Sequence, residues 1–487
     1  MTTTTTKRFT ILLCAVASQA TLLHSFGYDT VVMLLSTTTA MEEELGMTEN
    51  EGFHFRNVTK CVFFVACFIS GFVADLSGRR PTLILSGTLS FVGFLIMSLA
   101  VSYGVLVTGR VISLVGLELG LPVAPLYIGE VVSPSRRGCL NSIPEITSIL
   151  GLWLAVLTRA AVRDLSASSQ WRTLMGVGII PSLILGVGMI FLPESPCWLV
   201  KHARVADAKV ALQRTLKTTE EVEARLLGLR EAARIPPIMG DENFDAVPQD
   251  IHVLAIWREL RRPLVRPRLK ERLISVFTVQ CLQPPSGIDL LTFESLMRYP
   301  HNGPATPVEF VMEEILPLCG RLLPILVPLF ISDVVGRGPL VDYSLAAAVT
   351  SMTFISATTT MLNYGVTSGV VKELKRWSTI AFFGSFSIGL GPMTTVHTSE
   401  ALPFKVRAQV VGIAVMVNRL LSFGLYCLKP ALDGVLGSLI YWIINLVLLL
   451  GMWLCDRYLI ETSGESLEEL DKGFSPTLEL SLGPLAT

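Results

Sequence analysis

Asp29 is a carboxylate set inside an apolar run. It closes Leu23-His24-Ser25-Phe26-Gly27-Tyr28-Asp29, and the apolar character continues to Leu35. On insertion scales such a charge costs roughly 2.5–3.5 kcal/mol unless it faces protein, water or a counter-charge. Glu145, in Asn141-Ser142-Ile143-Pro144-Glu145, is a second acid in an apolar stretch. Its carboxylate can accept hydrogen bonds from ligand hydroxyls, or it can belong to an intramembrane ion pair. Gln280 and Gln283 place two amides, one helical turn apart, in an otherwise apolar segment. An amide offers two donors and an acceptor, which matches a vicinal diol. The six histidines form no catalytic or metal motif, and the nine cysteines show no CxxC pair or zinc spacing. Neither an enzyme nor a cofactor is expected.

The elements that position these residues are membrane-length helices. Of 487 residues, 51% are hydrophobic and only 16% charged, against about 25% charged in soluble domains. Mean hydropathy is +0.57. The apolar residues fall in twelve blocks: 9–35, 59–76, 82–101, 105–131, 141–160, 173–193, 272–293, 311–334, 340–362, 377–402, 408–428 and 434–456. A helix needs about 20 residues to cross a bilayer. The blocks do not alternate as barrel strands would, and backbone polar groups in lipid must be satisfied within each segment. Prolines interrupt the seventh and eighth blocks. With 39 basic and 40 acidic residues, nothing points to a nucleic-acid partner.

Positive charge orients the chain. With Lys7 and Arg8 inside, the inner connections carry Arg79-Arg80, Arg136-Arg137, the central loop, Arg337, Lys405 and Arg407. Arg159, Arg163, Lys372, Lys375 and Arg376 then fall outside, so the bias rests mainly on the central loop. That loop, 194–271, has helical character over 204–232 and is expected against the inner ends of the spans.

The chain also repeats itself. Asp75-Leu76-Ser77-Gly78-Arg79-Arg80 ends block two, and Asp333-Val334-Val335-Gly336-Arg337-Gly338 ends block eight. Glu130 with Arg136-Arg137 ends block four, and Glu400 with Arg407 ends block ten. Matching turns at equivalent places imply duplication, and such repeats in transporters build a midplane site between halves. Asp75, Arg79, Arg80, Glu130, Arg137, Glu194, Asp333, Arg337, Glu400 and Arg407 are expected to form inter-span ion pairs. These would hold the outward-facing state and release on inward opening.

In these stretches, with Phe26 to Asp29, Gly109-Arg110, Pro125 to Gly138, Pro193-Glu194-Ser195-Pro196, Ser286 to Asp289, Gly389-Leu390-Gly391-Pro392 and Glu461-Thr462, the chain resembles the sugar porter family of the major facilitator superfamily. Within it, the chain is most similar to plant polyol/monosaccharide transporters. The resemblance implies an all-α membrane protein of twelve transmembrane helices in two six-helix pseudo-repeated bundles, 1–193 and 272–456. A cytosolic linker, 194–271, and a cytosolic tail, 457–487, complete it. The implied activity is proton-coupled symport of a polyol or monosaccharide by alternating access, with the proton as coupling ion. The implied setting is a lipid-embedded monomer in the plasma membrane, or alternatively the vacuolar membrane, with both termini cytoplasmic. An uncoupled facilitator and a non-transporting, sensor-like paralogue are the competing readings.

The resemblance makes Asp29 the proton-handling residue, with Arg110 on span four as its switchable counter-charge. The alternative is a static structural partner or a helix-break cap. Glu145, Gln283, Asp289 and Asn418 fall at substrate positions, and Gln280 shares the Gln283 face. Pro284-Pro285 and Gly389 to Pro392 are expected to interrupt spans seven and ten. Thr395 stands where a tryptophan is usual, which removes a stacking face suited to a pyranose and favours a linear polyol. Cys197, Gly338, Pro284, Glu294, Val156, Arg159 and Ile460 also depart from the usual pattern.

Overall fold

The computed structural model describes residues 3–22, 39–48, 50–52, 55, 59–233, 267–297, 315–404 and 406–464. Asp29 lies outside the described residues. The described chain is helical throughout. Its first part comprises α1 (Thr3–Ala17), α2 (Gln19–Leu22), α3 (Thr39–Glu44), α4 (Thr59–Ser77), α5 (Arg79–Ser98), α6 (Tyr103–Val131), α7 (Arg137–Asn141), α8 (Ile143–Ala161), α9 (Ala167–Val177) and α10 (Ile179–Ile190). Three short linker helices follow: α11 (Pro196–Lys201), α12 (Val205–Thr215) and α13 (Thr219–Ala233). The second part comprises α14 (Pro267–Leu282), α15 (Ile288–Met297), α16 (Leu316–Leu322), α17 (Leu326–Val335), α18 (Arg337–Asn363), α19 (Gly369–Ile388), α20 (Leu390–Glu400), α21 (Arg407–Leu436) and α22 (Leu439–Tyr458).

Among the described residues, nine helical stretches are long and apolar enough to cross a membrane, and Phe9–Leu22 and Val62–Ser77 are shorter apolar helices. Their outward faces carry large apolar side chains: Phe330 is 78% exposed and Trp453 58%. Contiguous apolar surface of this kind suits lipid rather than water. The inward faces form separate cores. Phe94, Leu114, Leu152 and Trp171 belong to one in the first part, and Leu345, Met352, Phe382 and Phe386 to one in the second.

The expected interruptions fall at the prolines and glycines. Pro284–Ser286 forms a short 3-10 turn between α14 and α15, closed by Gly287 at φ +90°. Leu323 to Ile325 separates α16 from α17, and Gly389 separates α19 from α20. Proline removes a donor and crowds the preceding turn, so the helix restarts beyond it. Several boundaries differ from the hydropathy reading: α9 begins at Ala167 rather than 173 and α14 at Pro267 rather than 272. α18 begins at Arg337 rather than 340. α19 begins at Gly369 rather than 377, because the Ser368 hydroxyl accepts the Val371 N–H as an N-cap. Lys372, Lys375 and Arg376 therefore lie on its first turns rather than in a loop. α21 runs to Leu436, past the expected start of the twelfth block.

The linker helices pack as a small layer. Trp198, Val205, Leu212, Leu226 and Leu229 form its core together with Phe404. Arg225 ties it to the end of α6 by donating to the carbonyls of Glu130 and Val132 at 2.7 and 2.9 Å. We call this end of the molecule the linker face.

Candidate functional site

Where the broken helices meet the first part, they leave a cavity lined by residues of both parts. All six expected substrate residues line it: Glu145 from α8, Gln280 and Gln283 from the end of α14, Asp289 from α15, Thr395 from α20 and Asn418 from α21. The amides are already ordered. Asn418 donates to the Gln280 carbonyl at 2.9 Å and to Gln283 Oε1 at 3.0 Å. Gln280 Nε2 donates to Thr398 Oγ1 at 3.0 Å. Asp289 Oδ2 accepts the Ser422 hydroxyl at 3.0 Å. Breaking α14 from α15 is what brings Asp289 and the two glutamines to one wall.

Two arginines complete the wall, and the sequence reading did not single them out. Arg321, on α16, is 4% exposed. Its Nη2 lies 3.8 Å from Glu145 Oε1, an ion pair that joins the two parts of the chain across the cavity. At that distance the pair is Coulombic rather than hydrogen-bonded. Glu145 is thus both a cavity carboxylate and an ion-pair member. Arg419, next to Asn418, also lines the cavity, and its charge acts on Glu145 and Asp289. Phe386 supplies an aromatic ring to the wall that Thr395 does not. Arg110 is buried on α6. Its expected pairing with Asp29 cannot be placed, since Asp29 falls outside the described residues.

The other expected charges gather at the linker face. Arg79 binds Asp75 at 2.8 Å and takes Glu130 bidentately at 2.9 and 3.0 Å. Lys201 adds a contact to Asp75 at 3.1 Å, and the Ser195 hydroxyl one to Glu130. In the second part, Arg337 meets Asp333 and Glu400 at 3.2 Å each. These pairs lie within one part of the chain. Other contacts cross between parts. Asp333 accepts the N–H groups of Gly138 and Cys139 at 2.9 and 3.0 Å. Asn141 donates to Ser399 at 2.6 Å, and Arg407 approaches Glu130 at 4.0 Å.

Arg80, Glu194 and Arg137 use backbone partners. Arg80 donates to the carbonyls of Met189 and Ile190 at the end of α10. Arg137 Nε donates to the Gly129 carbonyl at 3.1 Å. Glu194 accepts the N–H groups of Arg79 and Arg80. Glu461 repeats that cap in the second part, accepting from Arg337 and Gly338 at 3.0 and 2.9 Å. Helix ends leave backbone groups without intrahelical partners, and a carboxylate satisfies the first N–H groups. Both capped helices follow a glycine at positive φ, Gly78 at +104° and Gly336 at +98°. A side chain at Gly78 would be strained and would overlap the Glu194 carboxylate. The two caps are not electrostatically equal. Burial dominates at Glu194 and pushes its carboxyl above the usual range. At Glu461 burial also pushes upward, but the N–H groups of Arg337, Gly338 and Ser463 outweigh it and hold the carboxyl below that range.

Residues 13–474 match the family described as Sugar (and other) transporter. The chain belongs to that family. It is therefore a transporter rather than an enzyme. It is 31% identical to Polyol transporter 5 of Arabidopsis thaliana over 417 residues, covering 83% of this chain and 76% of that one. It is 30% identical to Probable polyol transporter 3 of the same plant, covering 92% and 88%. Among solved structures it is similar to the proton:xylose symporter XylE bound to 6-bromo-6-deoxy-D-glucose. The TM-score is 0.78 at 19% identity, covering 96% of this chain and 100% of that one. It is also similar to the inward open conformation of XylE from E. coli, at a TM-score of 0.62 and 19% identity, covering 94% and 98%. These structural likenesses establish the major facilitator fold.

Arg321 was within reach of sequence reasoning. It is a charge inside the apolar block 311–334, the same signal that marked Asp29. Glu118 is a third such residue. It lies in Gly116-Leu117-Glu118, in the middle of α6, and is fully buried. Arg419 directly follows Asn418 inside the apolar block 408–428 and carries the same signal. Thr398 and Ser399 gave no signal, since hydroxyls are common in membrane helices.

Proposed function

We propose that this transporter carries a polyol or monosaccharide by proton-coupled symport, through alternating access of two six-helix bundles built from twelve spans. The supporting observation is the cavity between the two parts. Its wall interleaves carboxylates (Glu145, Asp289), amides (Gln280, Gln283, Asn418) and guanidinium groups (Arg321, Arg419). Hydroxyl groups both donate and accept, so a polyhydroxylated ligand can satisfy acids and donors together. Thr395 in place of an indole favours a flexible, linear polyol over a flat ring, a preference consistent with the named polyol transporters among its relatives.

On this reading, Asp29 and Arg110 couple the proton, and the contacts that cross at the linker face act as the inner gate. That face is cytosolic, with the linker 194–271, the tail 457–487 and both termini, and the bundles function as a lipid-embedded monomer in the plasma membrane. The test is uptake by purified protein in liposomes, with a panel of polyols and monosaccharides and an imposed pH gradient. Accumulation against a gradient, abolished in Asp29→Asn, is the expected result. Equal uptake after the proton gradient is collapsed would make the protein a facilitator. Binding without flux for every compound would make it a sensor.

A further inference from the structure

Glu118 is a membrane-embedded carboxyl that the reading above leaves without a role. It is 0% exposed, in the middle of the 29-residue helix α6. Cys67 on α4, also 0% exposed, donates its thiol to Glu118 Oε2 at 2.9 Å. A carboxyl oxygen accepts that bond whether the group is ionised or protonated, so a proton can come and go without orphaning the thiol.

The site lies where the two parts of the chain touch most closely. α4 packs along α21, and a methyl added at Gly71 would overlap the Ala408 carbonyl. One added at Gly412 would lie 3.0 Å from the Cys67 carbonyl oxygen. α21 also carries Arg419, which lines the cavity. Its positive charge acts on Cys67 as well as on the cavity acids Glu145 and Asp289. α21 thus carries both a guanidinium that lines the ligand cavity and the glycine seam that packs against Cys67, the partner of Glu118.

Among the described residues, the other charges on the helices packed around α6 are placed elsewhere, Arg80 of α5 on the carbonyls of Met189 and Ile190. Asp75, Arg79, Glu130, Arg137, Lys201, Glu400 and Arg407 belong to the linker-face network. Glu130 is about 18 Å further along α6 at the helical rise. His397 on α20 is bonded to Ser275. Arg110 lies two turns away on α6 itself.

We propose that Glu118 is a second proton-carrying carboxyl of the transport cycle, linked to the substrate cavity through Arg419. The proposal rests on the transport reading above. A proton binds the Glu118 carboxylate on one side of the cycle and leaves on the other, with Cys67 as fixed hydrogen-bond partner. A nearby cation favours the ionised form and its withdrawal favours the neutral form. Substrate hydroxyls that engage Glu145 and Asp289 change how Arg419 is held, and movement of α21 against α4 changes its distance from the seam.

The test measures protons and substrate moved together in proteoliposomes, with an internal pH dye and radiolabelled substrate. Glu118→Gln is expected to lower the proton-to-substrate ratio at least twofold and to flatten the pH dependence of KM. Cys67→Ser, which keeps a donor, should stay near the parent ratio. A Glu118→Gln protein that loses rate or thermal stability, yet keeps the parent ratio and pH profile, would show a structural role and overturn the proposal. If that variant cannot be recovered folded, Glu118→Asp should displace the pH midpoint of transport by at least half a unit, and an unchanged midpoint overturns the proposal. A parent that transports without moving protons also overturns it, while leaving transport intact. A parent that moves no polyol or sugar refutes the transport reading itself.

Discussion

Replacing Asp333 with asparagine should open the linker face. Only interactions that differ between two states shift their balance. Arg79–Glu130 and Arg337–Glu400 lie within one part of the chain and can travel with it. Asp333 accepts two N–H groups from the other part, at Gly138 and Cys139, and is 20% exposed at its side chain. A hydrogen bond to a charged group contributes about 1.5–3 kcal/mol. Asparagine keeps one acceptor oxygen, and partial exposure lets water replace part of the loss. The net cost to the closed face is then about 1–2 kcal/mol, or roughly 5–30-fold in population. Hydrogen exchange read by mass spectrometry measures this directly. In Asp333→Asn, the peptide 134–142 should exchange faster by that factor. So should the peptide 394–402, whose Ser399 meets Asn141 across the same seam. Asp333 does not touch that second peptide, so its response reports opening rather than a lost local bond. Asp75→Asn, confined to the first part, is the control and should leave both peptides within about twofold at a 1.4 kcal/mol-per-decade scale. Faster exchange limited to Gly138 and Cys139, or none, would refute the reasoning.

Four further outcomes follow from the same geometry. Thr395→Trp should add a stacking face to the cavity and raise pyranose preference over a linear polyol, by about 0.5–1.5 kcal/mol, read as the ratio of kcat/KM values; an unchanged ratio would place residue 395 away from the ligand. Gly389→Ala would drive a methyl into the Leu340 carbonyl and the Ser344 side chain, which receives the Leu390 N–H at 3.0 Å. The cost should be about 1–3 kcal/mol, seen as a lower melting temperature. Glu461→Gln should cost about 1 kcal/mol near neutral pH, as loss of a helix cap does. Glu461 is held below the usual carboxylate range when folded, so its stabilisation is present above that range and is lost as pH falls through it. The penalty of the variant should therefore shrink on acidification. Glu194→Gln should cost less at neutral pH, since burial pushes that carboxyl upward and its ionised form is not favoured by folding.

Much of this molecule was legible in its sequence. Each of the twelve apolar blocks carries helix in its described part, and the prolines and glycines of blocks seven, eight and ten mark real breaks. The six residues expected to contact substrate all line one cavity. The physical reason is strict: a polar side chain in a membrane-length segment must turn toward protein or water, so an isolated Gln, Asp or Asn already implies an inner face. The duplicated turns were equally visible, because only a glycine tolerates the positive φ that Gly78 and Gly336 adopt.

Partnership was decided only by tertiary structure. Glu145 and Arg321 are far apart in the chain, and nothing local says they meet across a cavity. Arg80 resembles Arg79 in sequence, yet one binds carbonyls and the other carboxylates, because their directions differ around the helix. Glu194 and Glu461 look alike, yet burial outweighs the N–H groups at one and yields to them at the other. Glu118 is a charge in an apolar run, just as Asp29 is, but its thiol partner and its place beside α21 follow from how α4, α6 and α21 cross. Local pattern determines which side chains must avoid lipid; only the packing of one helix against another determines what they find there.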